Sequence, residues 1–303
     1  MTDHPQPIVN AELRAPATIS NFRAIGDLST QDGNRVSSAM LYRSGHLADA
    51  SDEDLDLLTR LGIRTIIDLR RPDEIGLHGI DRIPPGAELI EAPILPDDTT
   101  VQVVDSNGRQ HDIDVVNLIY SDNPDELLSP IGNHAAISLM ERVYELLATD
   151  EQACQQYGRI LRKLAEPGSM PAVIHCTAGK DRTGWVASVV LSMLGVATDD
   201  LVEHYLDSNL QREANIELHR ARWSELGVDP GLMDPLVMVR PEYLLQSYAA
   251  VASRWGTFEE YVSTGLDLGD VLVERLRSEL LMPDAERSPH PTTPISTPRG
   301  ENP

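Results

Sequence analysis

Cysteine is nearly missing from this 303-residue chain, which contains only Cys154 and Cys176. Two cysteines cannot build a disulfide framework, and without a CxxC spacing they do not indicate structural zinc. The nine histidines form no HExxH or similar pattern, so we expect no metal and no other cofactor. No apolar run approaches the 18 residues that span a bilayer, and MTDHPQPIVN lacks the basic and apolar regions of a signal peptide. These absences predict a protein without stable membrane association, located in the reducing cytoplasm, although secretion without a signal peptide stays open.

Basic and aromatic residues are also scarce. The chain has 25 lysines and arginines against 48 aspartates and glutamates, which gives a net charge of −23. Such a chain repels a phosphate backbone unless it carries a local basic stripe, so the composition argues against nucleic acid as a partner. Aromatic residues make up 4% of the chain and hydrophobic residues 41%, so the core must be mostly aliphatic.

Short apolar strands alternate with helices along most of the chain. RTIIDL (64–69) and MPAVIH (170–175) are typical of buried strands. SDEDLDLLTRLG (51–62) has a serine N-cap, acids in its first turn and a glycine at its end, which predicts a helix. Residues 199–282 favour helix throughout. The alternation predicts an α/β fold with a mainly parallel central sheet flanked by helices.

The chain divides into one large domain between two polar ends. Residues 1–20 predict a flexible lead-in, and residues 21–282 predict a single domain. The end of the chain, SPHPTTPISTPRGENP, has almost no apolar content, and we expect a disordered tail over residues 283–303. Residues 96–136 contain SNG, DNP and SPIGN, which are turn sequences. They predict a long irregular segment to which the sequence assigns no role.

The stretch HCTAGKDRTG (175–184) concentrates positive charge in an acidic chain. His175, Lys180 and Arg182 lie within eight positions and surround Cys176, which follows a predicted strand. A glycine-containing loop that leads into a helix presents backbone N–H groups to an anion. Cations and a helix N-terminus lower the pKa of a cysteine, and a guanidinium matches phosphate oxygens with paired hydrogen bonds. The stretch therefore predicts a thiolate nucleophile beneath a bound phosphoryl group.

This stretch resembles the phosphate-binding loop HCxxGxxR[ST] of cysteine-dependent protein tyrosine phosphatases. It is most similar to the atypical bacterial branch of that family, which is related to lipid phosphatases. The resemblance covers most of residues 20–282 and implies the cysteine-phosphatase fold with a helical C-terminal lid over residues 205–240. Further similar stretches are NFRAIG (21–26), LYRSGHL (41–47), LGIRTIIDLRRPDE (61–74) and VRPEYL (239–244).

The resemblance also implies roles for the residues of the loop. Cys176 attacks phosphorus to form a cysteinyl-phosphate, and Arg182 holds the phosphoryl oxygens. Thr183 hydrogen-bonds the sulfur and helps the thiolate leave, while His175 orients the loop. The residues implied in phosphate binding are Thr177, Ala178, Gly179, Lys180, Thr183 and Gly184.

Two aspartates remain open as the general acid. Asp181 lies inside the loop and next to Arg182, so it needs no mobile segment to reach a leaving oxygen. Asp68 ends a predicted strand, at the edge where parallel sheets place ligands. Asp68 could instead pair with Arg70 or Arg182. Asp150 has the spacing of the acid in many tyrosine phosphatases, but it is better placed as a helix cap.

The implied substrate is phosphotyrosine in proteins, with phosphoserine or phosphothreonine as a side activity. Phosphoinositide phosphatases also carry a lysine four residues after the cysteine, as Lys180 follows Cys176, so phosphoinositides are an alternative. The predicted lid over residues 205–240 contains four arginines and six acids, which disfavours an anionic membrane surface. A phosphate-binding pseudoenzyme is a further alternative, although the intact Cys176, Arg182 and Asp181 argue against it.

Overall fold

The structure is a computed structural model that describes residues 16–95, 99–104, 108, 110–128 and 135–283. The expectations for residues 1–15 and for the tail over 284–303 lie outside the described residues. None of the helices in the described ranges combines the length and the apolarity needed to cross a bilayer.

Nine strands within these ranges form one five-stranded sheet and two small antiparallel ones. The main sheet has the order β1-β3-β8-β4-β5. Its last four strands are parallel, and β1 pairs antiparallel with β3 at one edge. The predicted α/β fold with a mainly parallel sheet is confirmed. The strands are β1 Arg23–Ala24, β2 Asn34–Val36, β3 Leu41–Ser44, β4 Thr65–Asp68, β5 Glu88–Glu91, β6 Val101–Val104, β7 Gln110–Ile113, β8 Ala172–His175 and β9 Leu281–Pro283.

Thirteen α-helices occupy the part of the chain that the structure describes. A π-helix over Tyr261–Gly265 continues α12. The helices are α1 Asp52–Arg60, α2 Pro72–His78, α3 Val115–Tyr120, α4 Pro124–Leu128, α5 Ala135–Thr149, α6 Glu151–Leu164, α7 Arg182–Met193, α8 Thr198–Gln211, α9 Glu213–Glu225, α10 Pro230–Val237, α11 Pro241–Trp255, α12 Phe258–Glu260 and α13 Asp270–Leu280.

The central strands separate two apolar layers because successive side chains point to opposite faces of a sheet. Ile67 and Ile174 belong to the large core that packs under α5, α6 and α7. Their neighbours Ile66 and Val173 belong to a smaller core under α1. All four side chains are fully buried, and each contributes roughly 1.5–3 kcal/mol by leaving water. The sheet is therefore packed on both faces where it carries the loop that follows β8.

Register places the ends of β4 and β8 at the same level of the sheet. Asp68 lies opposite His175, so both strands end at the carboxyl edge, where parallel sheets bind ligands. The loop of residues 176–181 follows at once, and α7 begins at Arg182. Helix α1 has its predicted N-cap, since Ser51 Oγ accepts a hydrogen bond from Asp54 N at 3.1 Å.

The segment over residues 96–136 was expected to be irregular, and for its described residues that expectation is wrong. Strands β6 and β7 form an antiparallel hairpin, and α3 and α4 follow. Asp114 caps α3 by accepting hydrogen bonds from Val116 N and Asn117 N at 2.9 and 3.2 Å. The hydrophobic periodicity of the sequence did not predict these elements, because hairpins and very short helices are too brief to show a period.

Candidate active site

The carbonyl groups of the loop of residues 176–181 accept hydrogen bonds from residues outside the pocket. His46 N donates to Thr177 O at 3.1 Å, and Asn21 Nδ2 donates to Gly179 O at 2.8 Å. Neither donor lines the pocket in front of the loop. Among the described residues, no acceptor takes a hydrogen bond from the N–H groups of residues 177–181. Those N–H groups precede a helix and are free to bind an anion.

Gly179 is the position where the loop comes closest to the sheet. Its φ is +65°, and a Cβ there would lie 2.1 Å from Ser44 O. The fully buried Arg43 donates to Gly179 O at 2.7 Å and to Lys180 O at 3.3 Å. The sequence did not indicate that Asn21 and Arg43 support the loop, although both lie in stretches that carry the family resemblance.

Cys176 lies beneath this loop and is 2% exposed. Burial by itself raises the pKa of its thiol, but the charge of Arg182 and the nearby Thr183 hydroxyl outweigh burial and bring the pKa below its usual value. The other free cysteine, Cys154 of α6, is also buried, and burial raises its pKa to about 11. Of the two thiols, Cys176 is the one that is prepared to act as a nucleophile.

Arg182 is held by a carboxylate that the sequence did not indicate, Glu74 of α2. Arg182 Nη1 and Nη2 each donate to one Glu74 oxygen at 2.5 Å, so the pair is bidentate. Glu74 is 1% exposed and also accepts from Thr177 Oγ1 at 2.5 Å and Arg71 N at 3.0 Å. Burial raises the pKa of Glu74, but Arg182 and these hydrogen bonds lower it to about 2. Glu74 therefore stays charged and fixes the guanidinium in the pocket.

We expect Glu74→Gln to lower both stability and activity. Removing one partner of a buried ion pair costs about 3–5 kcal/mol, and the freed Arg182 should reduce kcat/KM for aryl phosphates by about tenfold or more. Because the folded pKa of Glu74 lies below its unfolded value, its stabilisation is present above about pH 4.5 and is lost as the pH falls towards about 2. Urea unfolding between pH 6 and pH 2.5 measures this.

The control is Glu166→Gln. Glu166 has a side chain that is 58% exposed, and it pairs with Lys163 at the surface. Surface pairs contribute about 0–1 kcal/mol, so this variant should behave as the unchanged protein does. A stability difference for Glu74→Gln that does not shrink with falling pH would contradict the assignment.

Asp181 is the last residue of the loop and lines the pocket. Its side chain is 21% exposed, and its two oxygens lie 2.8 and 2.7 Å from Lys180 Nζ. Tyr144 Oη donates to Asp181 Oδ1 at 2.7 Å and lies 2.6 Å from Tyr205 Oη. The side chain makes no capping hydrogen bond to α7, and Asp181 is one of the residues that line the pocket. Burial lowers the pKa of Lys180, although the charge of Asp181 opposes that shift.

Asp68 is not brought to the pocket. It is buried at the end of β4, where it accepts from Arg70 N at 2.9 Å and from Arg70 Nε and Nη2 at 2.9–3.1 Å. Arg70 Nη2 also lies 2.9 Å from Asp81, and His175 Nε2 lies 3.0 Å from Asp81. Among the described residues, the side chains of Asp68, Asp81 and His175 lie close enough together to hold a metal ion. Arg70, however, already supplies positive charge there. This network lies behind the loop.

The pocket in front of the loop has a volume of about 120 Å³ and mainly aliphatic side walls. One wall comes from the segment over residues 96–136, to which the sequence assigned no role. Another part of the wall comes from the end of α10. The wall residues include Val101, Val116, Ile119, Met140, Leu236 and Val237. The polar loop thus forms the floor, and apolar groups surround whatever is attached to a bound phosphate.

The helices of residues 205–240, the predicted lid, dock on α3, which lines the pocket. Arg222 of α9 donates to Ile119 O, Tyr120 O and Ser121 O at 3.0, 2.7 and 2.6 Å. A cation is favourable at the carbonyl end of a helix. The Tyr120 ring also lies 5.9 Å from the ring of His219. The region predicted as a helical lid is helical, and it contacts the wall of the pocket.

Known proteins match nearly the whole chain. The family described as the tyrosine phosphatase family matches residues 15–282. A provisionally named tyrosine-protein phosphatase of Cupriavidus necator is 32% identical over 275 residues, or 87% of this chain and 86% of that protein. The triple specificity protein phosphatase PtpB of Mycobacterium tuberculosis is 30% identical over 278 residues, or 86% of this chain and 96% of that protein.

A solved structure adds a slighter likeness. The core catalytic domain of the PP-IP phosphatase SIW14 from S. cerevisiae covers 60% of this chain and 77% of its own, with a TM-score of 0.30 and 15% identity. A likeness at this level carries no inference about fold or substrate.

Proposed function

This chain belongs to the tyrosine phosphatase family, and from that premise we propose that it hydrolyses phosphotyrosine in proteins through a cysteinyl-phosphate. One observation carries the proposal: the Cys176 thiol, with its lowered pKa, shares a pocket with Arg182 and with loop N–H groups that have no acceptor among the described residues. A thiolate nucleophile survives best in a reducing compartment, which supports a cytoplasmic location. Turnover of a phosphotyrosine peptide by the purified protein tests the proposal.

The first step transfers the phosphoryl group to sulfur. The Cys176 thiolate attacks phosphorus, and the bond between phosphorus and the tyrosine oxygen breaks. Arg182 and the loop N–H groups bind the phosphoryl oxygens as charge develops on them. Asp181 gives its proton to the leaving phenoxide, which departs as neutral tyrosine.

The second step returns the enzyme to its starting state. Asp181, now a carboxylate, takes a proton from a water molecule that attacks phosphorus. The bond between phosphorus and sulfur breaks, and inorganic phosphate leaves. Arg182 and Thr183 stabilise the thiolate that forms on Cys176, as the lowered pKa of that residue requires. Thiolate and protonated carboxyl are both restored, so the cycle closes.

The walls of the pocket support an aryl phosphate as substrate. The aliphatic side chains around the floor can bury a phenyl ring, whereas a hydroxylated ring would lose hydrogen bonds with water there. Activity on phosphoserine and phosphothreonine is part of the proposal as a side activity. The name of the mycobacterial relative, which describes triple specificity, accords with it.

We expect phosphotyrosine peptides to be turned over at least about ten times more efficiently than phosphoinositides in vesicles at physiological salt. The lid residues 205–240 carry four arginines and six acids, so an anionic membrane surface repels them. Initial rates of phosphate release from both substrates, each over a range of concentration, give the two kcat/KM values. The reverse ranking would assign the protein to the phosphoinositide phosphatases, with Lys180 as a headgroup ligand.

A further inference from the structure

Arg212 lies at the junction of α8 and α9, where one lid helix ends and the next begins. It is 5% exposed and lines the active-site pocket. Its Nη1 donates to Val237 O at the end of α10, at 2.7 Å. The lid therefore holds a buried guanidinium in a defined position against the pocket.

This guanidinium differs from the other cations of the pocket, each of which has a carboxylate partner. No carboxylate pairs with Arg212 among the described residues, where its one hydrogen bond goes to a backbone carbonyl. A buried charge without a counter-charge is costly, and an arginine cannot escape that cost by losing its proton. The paired cations are Arg182 with Glu74 at 2.5 Å, Lys180 with Asp181 at 2.7 Å and Arg71 with Asp114 at 3.0 Å.

The position of Arg212 is close to the reaction centre without belonging to the phosphate-binding loop. The charges of Asp181 and of Cys176 act on its guanidinium, and its own charge acts on Lys180. A guanidinium has five N–H donors, and one is used on Val237. The others match a carboxylate or phosphate in a bidentate arrangement.

We propose that Arg212 binds a second anionic group of the substrate, held beside the reacting phosphate, and that this group is an acidic side chain next to the phosphotyrosine. The inference rests on the proposed function and adds a substrate preference to it. Arg212 is thus a specificity residue that the lid carries to the pocket.

The pocket favours a peptide over a cyclitol as the source of the second anion. Its aliphatic walls suit a phenyl ring, whereas the hydroxyl groups of an inositol ring need partners that Val116, Ile119 and Leu236 cannot supply. The acidic balance of the lid also disfavours a membrane-borne headgroup. A soluble inositol bisphosphate remains a useful comparison in the test.

The test uses pairs of phosphotyrosine peptides that differ only in one glutamate or glutamine, placed in turn at the two positions before and after the phosphotyrosine. At the best position the unchanged protein should prefer the glutamate peptide by about 10–100-fold in kcat/KM, as a charge-assisted hydrogen bond allows. Arg212→Gln should abolish that preference. Arg212→Lys should retain part of it, because a lysine keeps the charge but not the paired donors.

Arg222→Gln is the matched control. It removes a lid arginine that holds α9 to the carbonyl groups of α3 and does not line the pocket. A looser lid should affect both peptides of a pair alike and leave their ratio unchanged. Thermal denaturation of each variant verifies folding, and if Arg212→Gln does not fold, the reduced ratio of Arg212→Lys decides.

The outcomes separate this inference from the proposed function. An unchanged protein that hydrolyses both peptides without preference, or an Arg212→Gln variant that keeps the preference, overturns the inference alone. Loss of the preference in Arg222→Gln also overturns it, because the cause is then lid closure. If Arg212→Gln keeps the peptide ratio but lowers kcat/KM for an inositol bisphosphate more than for an inositol monophosphate, the assignment to a peptide is overturned. If the unchanged protein hydrolyses no phosphotyrosine peptide, the proposed function and the inference both fail.

Discussion

Cys176→Ser should abolish the turnover of aryl phosphates and lower kcat by about 10⁴-fold or more. Arg182 and Thr183 bring the pKa of the thiol below its usual value, which favours the thiolate that attacks phosphorus. A serine hydroxyl stays protonated in the same place and is a far weaker nucleophile. The loop and Arg182 remain intact, so the variant should still bind a phosphotyrosine peptide. Steady-state hydrolysis of p-nitrophenyl phosphate and a binding titration measure the two effects.

Cys154→Ser is the matched control for the nucleophile. Cys154 is equally buried, but burial raises its pKa to about 11 and it does not line the pocket. This variant should keep its activity. Vanadate, which mimics phosphate, should inhibit the unchanged protein, and EDTA should not. Strong inhibition by EDTA, or loss of activity with Cys154→Ser alone, would show that the chemistry is different.

Asp181→Asn should produce a loss that depends on the leaving group. A positioned acid contributes typically about 10²–10⁴-fold when the leaving oxygen needs a proton. Phenyl phosphate has a poor leaving group and should lose this factor, whereas p-nitrophenyl phosphate should lose much less. Initial rates with both substrates provide the comparison.

Asp68→Asn serves as the control for that experiment. Asp68 is hydrogen-bonded to Arg70 and does not line the pocket, so its loss should disturb the support behind the loop. We expect activity to fall by about the same factor for both substrates. If Asp68→Asn instead shows the leaving-group dependence and Asp181→Asn does not, the two roles are exchanged.

The candidate catalytic loop could be identified in the sequence because its residues are neighbours in the chain. Cys176, Asp181 and Arg182 lie within seven positions, and a strand before them and a helix after them are enough to bring them to one pocket. The same is true of the central strands, whose buried β-branched residues show their place in a parallel sheet. The family match over residues 15–282 confirms the resemblance that these stretches carry.

The partners of that loop could not be predicted, because they are distant in the chain. Glu74 precedes Arg182 by 108 positions, and Arg43 precedes Gly179 by 136. In its own segment Glu74 looks like an ordinary acid in the first turn of a helix. Nothing in a local pattern shows that the turn of α2 points its carboxylate at a loop that follows another strand.

By itself the sequence determined the α/β class and identified Cys176 and the loop after it as the candidate nucleophile and phosphate site. Each of these depends on neighbouring residues and on the periodicity of single elements. Only the tertiary structure decided what surrounds the reacting group. It brought residues of the 96–136 segment to one wall of the pocket and placed Arg212 of the lid against it. It also showed that Asp68 does not line the pocket whereas Asp181 does, although Asp68 ends one strand and Asp181 follows another at the same edge of the sheet. The reason is physical: side-chain pairing across distant elements depends on packing, and packing depends on the whole chain.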